Sequence, residues 1–397
     1  MKEVIRGFLL FCSLVSTVSA YTLSDEQNLR TSLLTGYDKE LRPGIDRAFP
    51  LQVNTSYFLF SINEFDMDTG KFTLTGFFLQ QWFDERLSWD PANHNQTNST
   101  IILQNKIWLP NLINTNPFED IRGLGSELIS VRVSSTGLCE WYALQVLEVI
   151  CDPDVSKFPF DTQYCTMKFF IGGYLPYEVN VNFVTSEVFL QLYHENGVWE
   201  ITASTTHTKL NLYGYEEVVV GLHLKRRTAY YTVSLILPVL AISVLLGFVF
   251  ILPPESGERL GFSTTVLLSI VLYLTLIQDM LPESSEPNVS IIGYILVSYV
   301  MTGAITVIFV IFGFRIQSSC KKPVPRFIAS TVKCFRRKRK GVNSAESLET
   351  KSVAIDEDDN DGVSWIEVGR FFDKMCFIVS LIQIAISNII FMSIVYS

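Results

Sequence analysis

The chain has 397 residues, of which 48% are hydrophobic, and it carries a formal net charge of −9. That length allows two or three domains, and the positive mean hydropathy of +0.28 favours a membrane protein. The negative charge argues against a protein that binds nucleic acid.

The N-terminal residues have the pattern of a secretory signal. Lys2 and Arg6 precede an apolar run from Gly7 to Val15, and small residues follow at positions 18–20. The alternative, a first transmembrane helix, is disfavoured because the run is too short to cross about 30 Å of hydrocarbon. We therefore predict that residues 1–20 are a cleaved signal peptide and that the mature chain begins near Tyr21.

Residues 21–227 are predicted to form an extracellular antiparallel β-sandwich. Short segments of alternating apolar and polar residues, such as Lys71–Leu79 and Glu217–Leu224, are separated by turns rich in Asn, Gly, Pro and Asp. Alternation with a period of two, broken by frequent turns, is typical of such domains. A short helix is predicted at Ser24–Leu34, before the first strand.

Cysteines and glycosylation signals in this region suit a secreted domain. Three of the seven cysteines fall here, Cys139, Cys151 and Cys165, and an oxidising compartment favours pairing. Three pairings are possible, one of which, Cys151 with Cys165, closes a loop of thirteen intervening residues. Sequons for N-glycosylation begin at Asn54, Asn95 and Asn98.

Four apolar stretches follow the predicted sandwich, and each is near the length that a helix needs to span a bilayer. Three of them lie within residues 228–316, and the fourth lies within residues 371–397. Four crossings return the C-terminus to the side of the membrane on which the sandwich lies. The stretches are Tyr230–Leu252, Leu260–Leu281, Ile291–Phe314 and Met375–Tyr396.

Residues 317–370 are predicted to form a partly disordered cytoplasmic loop. The part from Lys321 to Lys340 is basic without an acidic residue, and such segments are retained on the cytoplasmic side. The acidic run Asp356–Asp361 has the composition of a solvated linker. Binding of lipids or partners to these charges is the alternative interpretation. We expect Val363–Lys374 to resume a helix that continues into the last span.

The second apolar stretch differs from the others, because acidic residues flank it and steps of three and four place seven residues on one helical face. In a symmetric ring of subunits this face would line a pore. Carboxylate rings at both mouths would attract cations, and a leucine belt between them could close by dewetting. The alternative is an ordinary membrane helix whose end charges lie among lipid headgroups. The seven residues are Glu258, Gly261, Thr265, Leu268, Leu272, Leu276 and Asp279.

Motifs along nearly the whole mature chain resemble those of the Cys-loop receptors. The segment from Cys151 to Cys165 contains the Phe-Pro-Phe-Asp motif of the family at residues 158–161. The resemblance is to the nicotinic and serotonin-type branch, because Gly257-Glu258 stands where anion channels of the family usually carry Pro-Ala. It implies five subunits around a cation-selective pore and a Cys151–Cys165 disulfide. Further matches are Trp82–Trp89, Ile107–Pro110, Asn196–Trp199, Arg226–Tyr231 and Pro254–Arg259.

The resemblance also implies a ligand pocket between neighbouring subunits, formed by aromatic side chains that attract a ligand ammonium. Thr115 and Gly172 stand where nicotinic subunits have a tyrosine and the central tryptophan, and Lys209–Tyr215 lacks their adjacent cysteine pair. These departures argue against a standard acetylcholine site. Packing within the sandwich is the alternative role for each aromatic residue. The candidate ligand-binding residues are Phe77, Thr115, Trp141, Gly172, Tyr174, Tyr213 and Tyr215.

Gating in this family passes from the pocket to the pore where the sandwich rests on the membrane helices. Opposite charges at such a junction can form a state-dependent pair. The linker after the second span departs from the nicotinic pattern, because its second proline, Pro287, comes earlier than usual. The predicted junction comprises Asp66, Asp68, Phe158, Pro159, Phe160, Asp161, Arg226, Arg227, Pro282 and Pro287.

Other classes of function lack support in the sequence. The four histidines are scattered, without a Ser-His-Asp arrangement or a zinc spacing, so we expect no enzymatic activity, metal or cofactor. A soluble ligand-binding module would leave the polar-striped helix without a purpose.

We predict a homopentameric ligand-gated cation channel with an atypical ligand; the alternative is an accessory subunit of a heteropentamer. The predicted location is the plasma membrane, with several crossings and both termini extracellular. The predicted partners are identical or related subunits, an extracellular small molecule and membrane lipids, with no nucleic acid.

Overall fold

A computed structural model describes residues 22–126, 128–212, 214–253, 257–280, 290–318, 324–332 and 363–395. The described residues fold into two compact units, of which the second consists of Asp154–Asp161 and the described residues from Arg227 onward. The first unit contains the described residues from Thr22 to Pro153 together with those of Thr162–Arg226. The predicted signal peptide, most of the predicted cytoplasmic loop, Tyr213, Pro282 and Pro287 lie outside the described residues.

The first unit begins with helix α1, Leu23–Leu34, which confirms the predicted N-terminal helix. Thr22 and Asp25 form a capping box, in which the side chain of each residue accepts a hydrogen bond from the backbone N–H of the other. Leu29 and Leu33 are buried and hold one face of α1 against the core.

A two-sheet sandwich makes up most of this unit, as predicted. Its strands are β1 Leu51–Asp66, β2 Lys71–Phe83, β3 Ser99–Leu103, β4 Leu112–Asn114, β5 Ser130–Ser134, β6 Leu138–Ile150, β7 Thr162–Ile171, β8 Val179–Phe183, β9 Trp199–Leu210 and β10 Glu216–Arg226. One sheet has the strand order β3-β5-β6-β2-β1-β8, and the other has the order β4-β7-β10-β9. The pairing is antiparallel except between β1 and β8, where Leu51–Thr55 runs parallel to Val179–Phe183.

Large aromatic side chains fill the space between the two sheets. Trp82, Phe78 and Trp141 of the six-stranded sheet are almost fully buried. The ring of Phe78 meets the ring of Phe169, from the four-stranded sheet, edge-on at a centroid distance of 5.0 Å. Burying an aromatic side chain of this size contributes about 2 to 3 kcal/mol, so these contacts hold the sheets together.

Within the described residues, the second unit contains four helices that are long and apolar enough to cross a membrane. They confirm the four predicted spans, and α5 is continuous from Trp365, as the helical continuation of Val363–Lys374 predicted. A π-helical turn at Thr232–Ile236 precedes Pro238, because proline lacks an N–H and its ring pushes away the carbonyl of the turn before it. The helices are α2 Ala229–Ile251, α3 Glu258–Gln278, α4 Ile291–Ser318 and α5 Trp365–Val395, and residues 326–332 are also helical.

The segment Asp154–Asp161 groups with the second compact unit, although it lies within residues 21–227 of the chain. Aromatic contacts explain this grouping. The ring of Phe158 lies edge-on to that of Tyr231 at 5.4 Å, and the ring of Phe160 lies 6.4 Å from that of Phe391. The loop therefore packs with helices α2 and α5.

Candidate functional site

Helix α3 has one buried face and one exposed face. All seven residues of the predicted pore stripe are exposed in the chain, with Leu268 at 58% and Leu272 at 60% exposure. The helix is 21 residues long, or about 30 Å at 1.5 Å per residue, which matches the hydrocarbon thickness. A single chain thus leaves a stripe of leucines uncovered, and further subunits could cover it. The buried residues are Arg259, Ser263, Val266, Ile270 and Ile277.

The two carboxylates of the stripe occupy opposite ends of α3. Glu258 is the first residue of the helix, where the helix dipole favours a negative charge. Asp279 is the C-cap residue, where the same dipole disfavours a carboxylate by some tenths of a kcal/mol. The position of Asp279 therefore does not serve helix stability, which is consistent with a role in the pore. The hydroxyl of Thr265 donates to the carbonyl of Gly261 at 2.9 Å.

The disulfide implied by the resemblance is present. Cys151 and Cys165 are bonded and lie at the start of the loop segment and in strand β7, respectively. Cys139 is a buried free thiol, as the implied pairing of Cys151 with Cys165 requires, and burial raises the pKa of that thiol. It is therefore a packing residue with low thiol reactivity.

Two of the candidate ligand-binding residues, Thr115 and Tyr215, border the same part of strand β10. The hydroxyl of Thr115 lies 3.2 Å from the carbonyl oxygen of Lys168 and 3.4 Å from Oε1 of Glu217. The ring of Tyr215 lies edge-on to that of Phe170 at 6.1 Å, and Phe170 pairs with Glu217 between β7 and β10. This surface of the four-stranded sheet thus combines a half-buried tyrosine with a carboxylate and a hydroxyl.

Two further candidates, Gly172 and Tyr174, serve packing. A Cβ atom added at Gly172 would lie 2.5 Å from Cδ1 of Ile113, so isoleucine occupies the space beside this glycine. The hydroxyl of Tyr174 accepts a hydrogen bond from Nε1 of Trp108 at 3.1 Å, and Tyr174 packs against the core. A large aromatic side chain at position 172 would need Ile113 to move.

The last two described candidates, Phe77 and Trp141, lie on opposite faces of the six-stranded sheet. Trp141 is fully buried and donates from Nε1 to Oε1 of Gln104 at 3.1 Å. Phe77 lies on the outer face, where its ring stacks on that of Phe58 at 4.6 Å. Burial favours a packing role for Trp141, whereas Phe77 remains at the surface.

Comparison with known families finds a match in each of the two units. The model of the neurotransmitter-gated ion-channel ligand binding domain matches residues 26–228, and that of the neurotransmitter-gated ion-channel transmembrane region matches residues 235–332. The chain belongs to the neurotransmitter-gated ion-channel family. With its four long apolar helices it is a multi-pass membrane protein of this ligand-gated channel family, in the nicotinic branch of the Cys-loop receptors.

Similar proteins include acetylcholine receptor subunits of vertebrates and nematodes. The neuronal acetylcholine receptor subunit beta-3 of Rattus norvegicus is 29% identical over 324 residues, which cover 80% of this chain and 69% of the relative. Subunit non-alpha-3 of Carassius auratus is 30% identical over 341 residues, with coverage of 83% and 73%. The alpha-type subunit acr-16 of Caenorhabditis elegans is 28% identical over 283 residues, with coverage of 70% and 56%.

The charged junction residues of the first unit are held by local contacts. Asp66 accepts hydrogen bonds from the hydroxyl of Thr69 at 2.7 Å and from the N–H of Asp68 at 2.9 Å, and these bonds lower the pKa of the Asp66 carboxyl. The guanidinium of Arg226 lies 4.2 Å from the ring centroid of Trp199. Coupling of these residues to Arg227 and to the loop 158–161, in the second unit, stays a prediction.

All three asparagines of the predicted sequons are exposed. Asn54 lies in strand β1, and Asn95 occupies a turn with φ 48°, which asparagine tolerates well. Asn98 directly precedes strand β3. Their exposure makes them accessible to glycosylation, which itself stays a prediction.

Two charged pairs of interest were missed by the sequence analysis. Lys209 and Glu217 lie opposite each other in the β9–β10 hairpin, and Nζ of Lys209 lies 3.0 Å from Oε2 of Glu217. The two residues lie at matching positions on either side of the hairpin turn. In two strands with alternating patterns, that symmetry could have revealed the pair. Arg259 and Asp373 form the other pair, and a sequence separation of 114 residues hides it from pattern analysis.

Proposed function

We propose that the chain is the subunit of a homopentameric, ligand-gated, cation-selective channel in which α3 lines the pore. The exposed stripe of α3 carries this proposal. Its leucines lie between a carboxylate at each end, and they point away from the face that packs on the other helices of the same chain. Membership of the family supports assembly around a central axis.

Cation selectivity follows from the carboxylates that would encircle each mouth. A carboxylate about 5 Å from the axis attracts a monovalent cation by about 0.8 kcal/mol even at the dielectric constant of water, and five such groups act together. Anions experience the opposite potential. Between the mouths, rings of Leu268 and Leu272 would exclude water from the closed pore.

The ligand is proposed to be one that does not require a tryptophan-centred aromatic cage. Ile113 occupies the space beside Gly172, and Thr115 lies next to the carboxylate of Glu217, whose side chain is 14% exposed and paired with Lys209. Polar and charged groups therefore lie on the same surface as Tyr215. A cage for a quaternary ammonium ligand would instead present aromatic rings there. This pocket chemistry supports an atypical small-molecule ligand, although the relatives carry the name of acetylcholine receptors.

The sandwich and both termini are proposed to lie outside the cell, with the chain in the plasma membrane. A disulfide and exposed sequons support an extracellular first unit. The basic start of the 317–370 segment supports a cytoplasmic location for the connection between α4 and α5. Lipids would then contact the outward faces of the helices.

Expression of the chain alone, followed by native mass spectrometry of the detergent-solubilised protein, tests the homopentamer. The expected species contains five copies and is present at the cell surface. Retention inside the cell as monomers, with rescue by a co-expressed family member, would instead identify an accessory subunit. A screen of amines and other small molecules on membrane currents then identifies the ligand class.

A further inference from the structure

A bidentate ion pair joins the pore helix α3 to the last helix α5. Nη1 and Nη2 of Arg259 donate to Oδ2 and Oδ1 of Asp373 at 3.1 and 2.9 Å, and Nε donates to the carbonyl of Val249 at 3.2 Å. The side chain of Arg259 is 1% exposed and that of Asp373 is 13% exposed. Three hydrogen bonds therefore fix the guanidinium. Two of them run side by side to the two carboxylate oxygens, which is the bidentate geometry typical of strong Arg–Asp pairs.

The surroundings of this pair are largely apolar. The guanidinium of Arg259 lies 5.3 Å from the ring centroid of Phe250, which belongs to a buried cluster with Val310 and Cys376. A buried charge in such surroundings is costly when its partner is removed, because no water replaces the lost interaction. Arg259 therefore depends on Asp373 to remain in its buried position.

The position of Arg259 in the chain gives this pair a consequence for the pore. Arg259 directly follows Glu258, the exposed carboxylate at the start of the pore stripe. Successive helix residues are about 100° apart, so the carboxylate faces the mouth while the guanidinium faces the other helices. A cation thus lies beside every carboxylate of the proposed ring, and Asp373 neutralises it.

We propose that Asp373 is a positioning residue for ion selectivity: it holds Arg259 on the buried face and neutralises it, so that Glu258 alone sets the potential at this mouth of the pore. Without Asp373, the unpaired guanidinium turns toward the water and the carboxylates of the mouth and cancels their charge. The inference rests on the proposed cation-selective pore.

A cysteine at position 261 reports the local potential without requiring an open channel. Gly261 lies on the stripe one turn after Glu258, and a Cβ atom added there meets nothing within 4 Å beyond the adjacent residues and backbone of its own helix. Purified Gly261→Cys pentamers are treated with a trimethylammonium-bearing or a sulfonate-bearing methanethiosulfonate, and peptide mass spectrometry gives both modification rates. Their ratio, cationic over anionic, divided by the same ratio for a small uncharged thiol in solution, measures the sign and strength of the potential at the mouth.

Asp373→Asn in this background is expected to lower the ratio at least fivefold. Removing both charges, with Arg259→Gln added to Asp373→Asn, is expected to return the ratio to the parent value. The matched control is Glu367→Gln, which removes an acid from the first turn of the same helix and leaves the ratio unchanged.

An unchanged ratio in assembled Asp373→Asn pentamers would overturn the proposal and leave the pair a purely structural role. If Asp373→Asn does not assemble, the variant with both Arg259→Gln and Asp373→Asn provides the test. Assembly of this double variant with the parent ratio supports the proposal, and its failure to assemble contradicts the proposal. A normalised ratio below one in the parent protein, which means that the mouth favours the anionic reagent, would reject the cation-selective pore itself, and this outcome differs from failure of the pair.

Discussion

Replacement of Leu268 by threonine is expected to open the pore in the absence of ligand. Full burial of a leucine side chain contributes about 2 kcal/mol, and Leu268 is 58% exposed in the chain, so closing the belt buries a further share of about 1 kcal/mol per subunit. Threonine keeps one methyl group and loses about half of this, roughly 2.5 kcal/mol over five subunits. At 1.4 kcal/mol per tenfold change, the equilibrium shifts about 60-fold toward the open state.

Whole-cell recording at matched surface expression measures this effect as leak current before any ligand is applied. Leu267→Thr is the matched control. Leu267 is the preceding residue and lies on another side of α3, where its side chain occupies the space beside Gly303 of α4. The control therefore loses intramolecular packing without changing the belt, and it is expected to show reduced expression but no leak.

Unchanged leak and unchanged ligand response in Leu268→Thr, at equal surface expression, would refute a closed gate at this belt. The constriction would then lie elsewhere, with the mouth near Gly261 as the next candidate. Equal leak from both variants would also contradict the account, because it would show general loosening of the helix bundle.

Three further predictions concern the disulfide, the pore charge and a turn. Cys151→Ser removes a constraint of about 3 kcal/mol on the unfolded chain and should lower surface biotinylation, whereas Cys139→Ala should not; free thiols at both loop cysteines in wild-type protein would contradict this. Glu258→Ala should weaken discrimination against chloride in dilution experiments, and an unchanged permeability ratio would remove this carboxylate from the selectivity ring. Thr69→Val should destabilise the protein by less than about 1 kcal/mol at pH 7. The pKa of the Asp66 carboxyl is lowered in the folded state, so its ionised form stabilises the fold above the ordinary pKa of 3.8, and this stabilisation is lost as the pH falls through the folded pKa. Thermal unfolding of Thr69→Val and of the wild type should therefore show no difference at lower pH.

Local pattern predicted much of the fold and the pore surface. Alternation of apolar and polar residues predicted strands β2 and β10. Residue spacings of three and four placed Leu268 and Leu272 on the face of α3 that is exposed in the chain. These features follow from the side-chain direction along a single element, which sequence spacing determines. The parallel pairing of β1 with β8 could not be predicted in this way, because it joins segments far apart in the chain.

Burial and long-range pairs explain where the sequence analysis fell short at the candidate site. Trp141 matches a family ligand position, yet its parity in β6 places it on the inner face of the sheet. The ion pair of Arg259 with Asp373 depends on how α3 and α5 pack, which no local pattern specifies. The charge balance beside Glu258 was therefore visible only in three dimensions.

The reversal potential of currents carried by the chain expressed alone tests the central claim most directly. The current is either evoked by an active compound from the ligand screen or recorded as the ligand-independent leak of Leu268→Thr. The reversal potential is measured before and after the external NaCl is diluted tenfold. A cation-selective pore follows the sodium gradient, with a shift of about 59 mV in the direction of the cation equilibrium. A shift of similar size in the opposite direction, following chloride, would contradict the account.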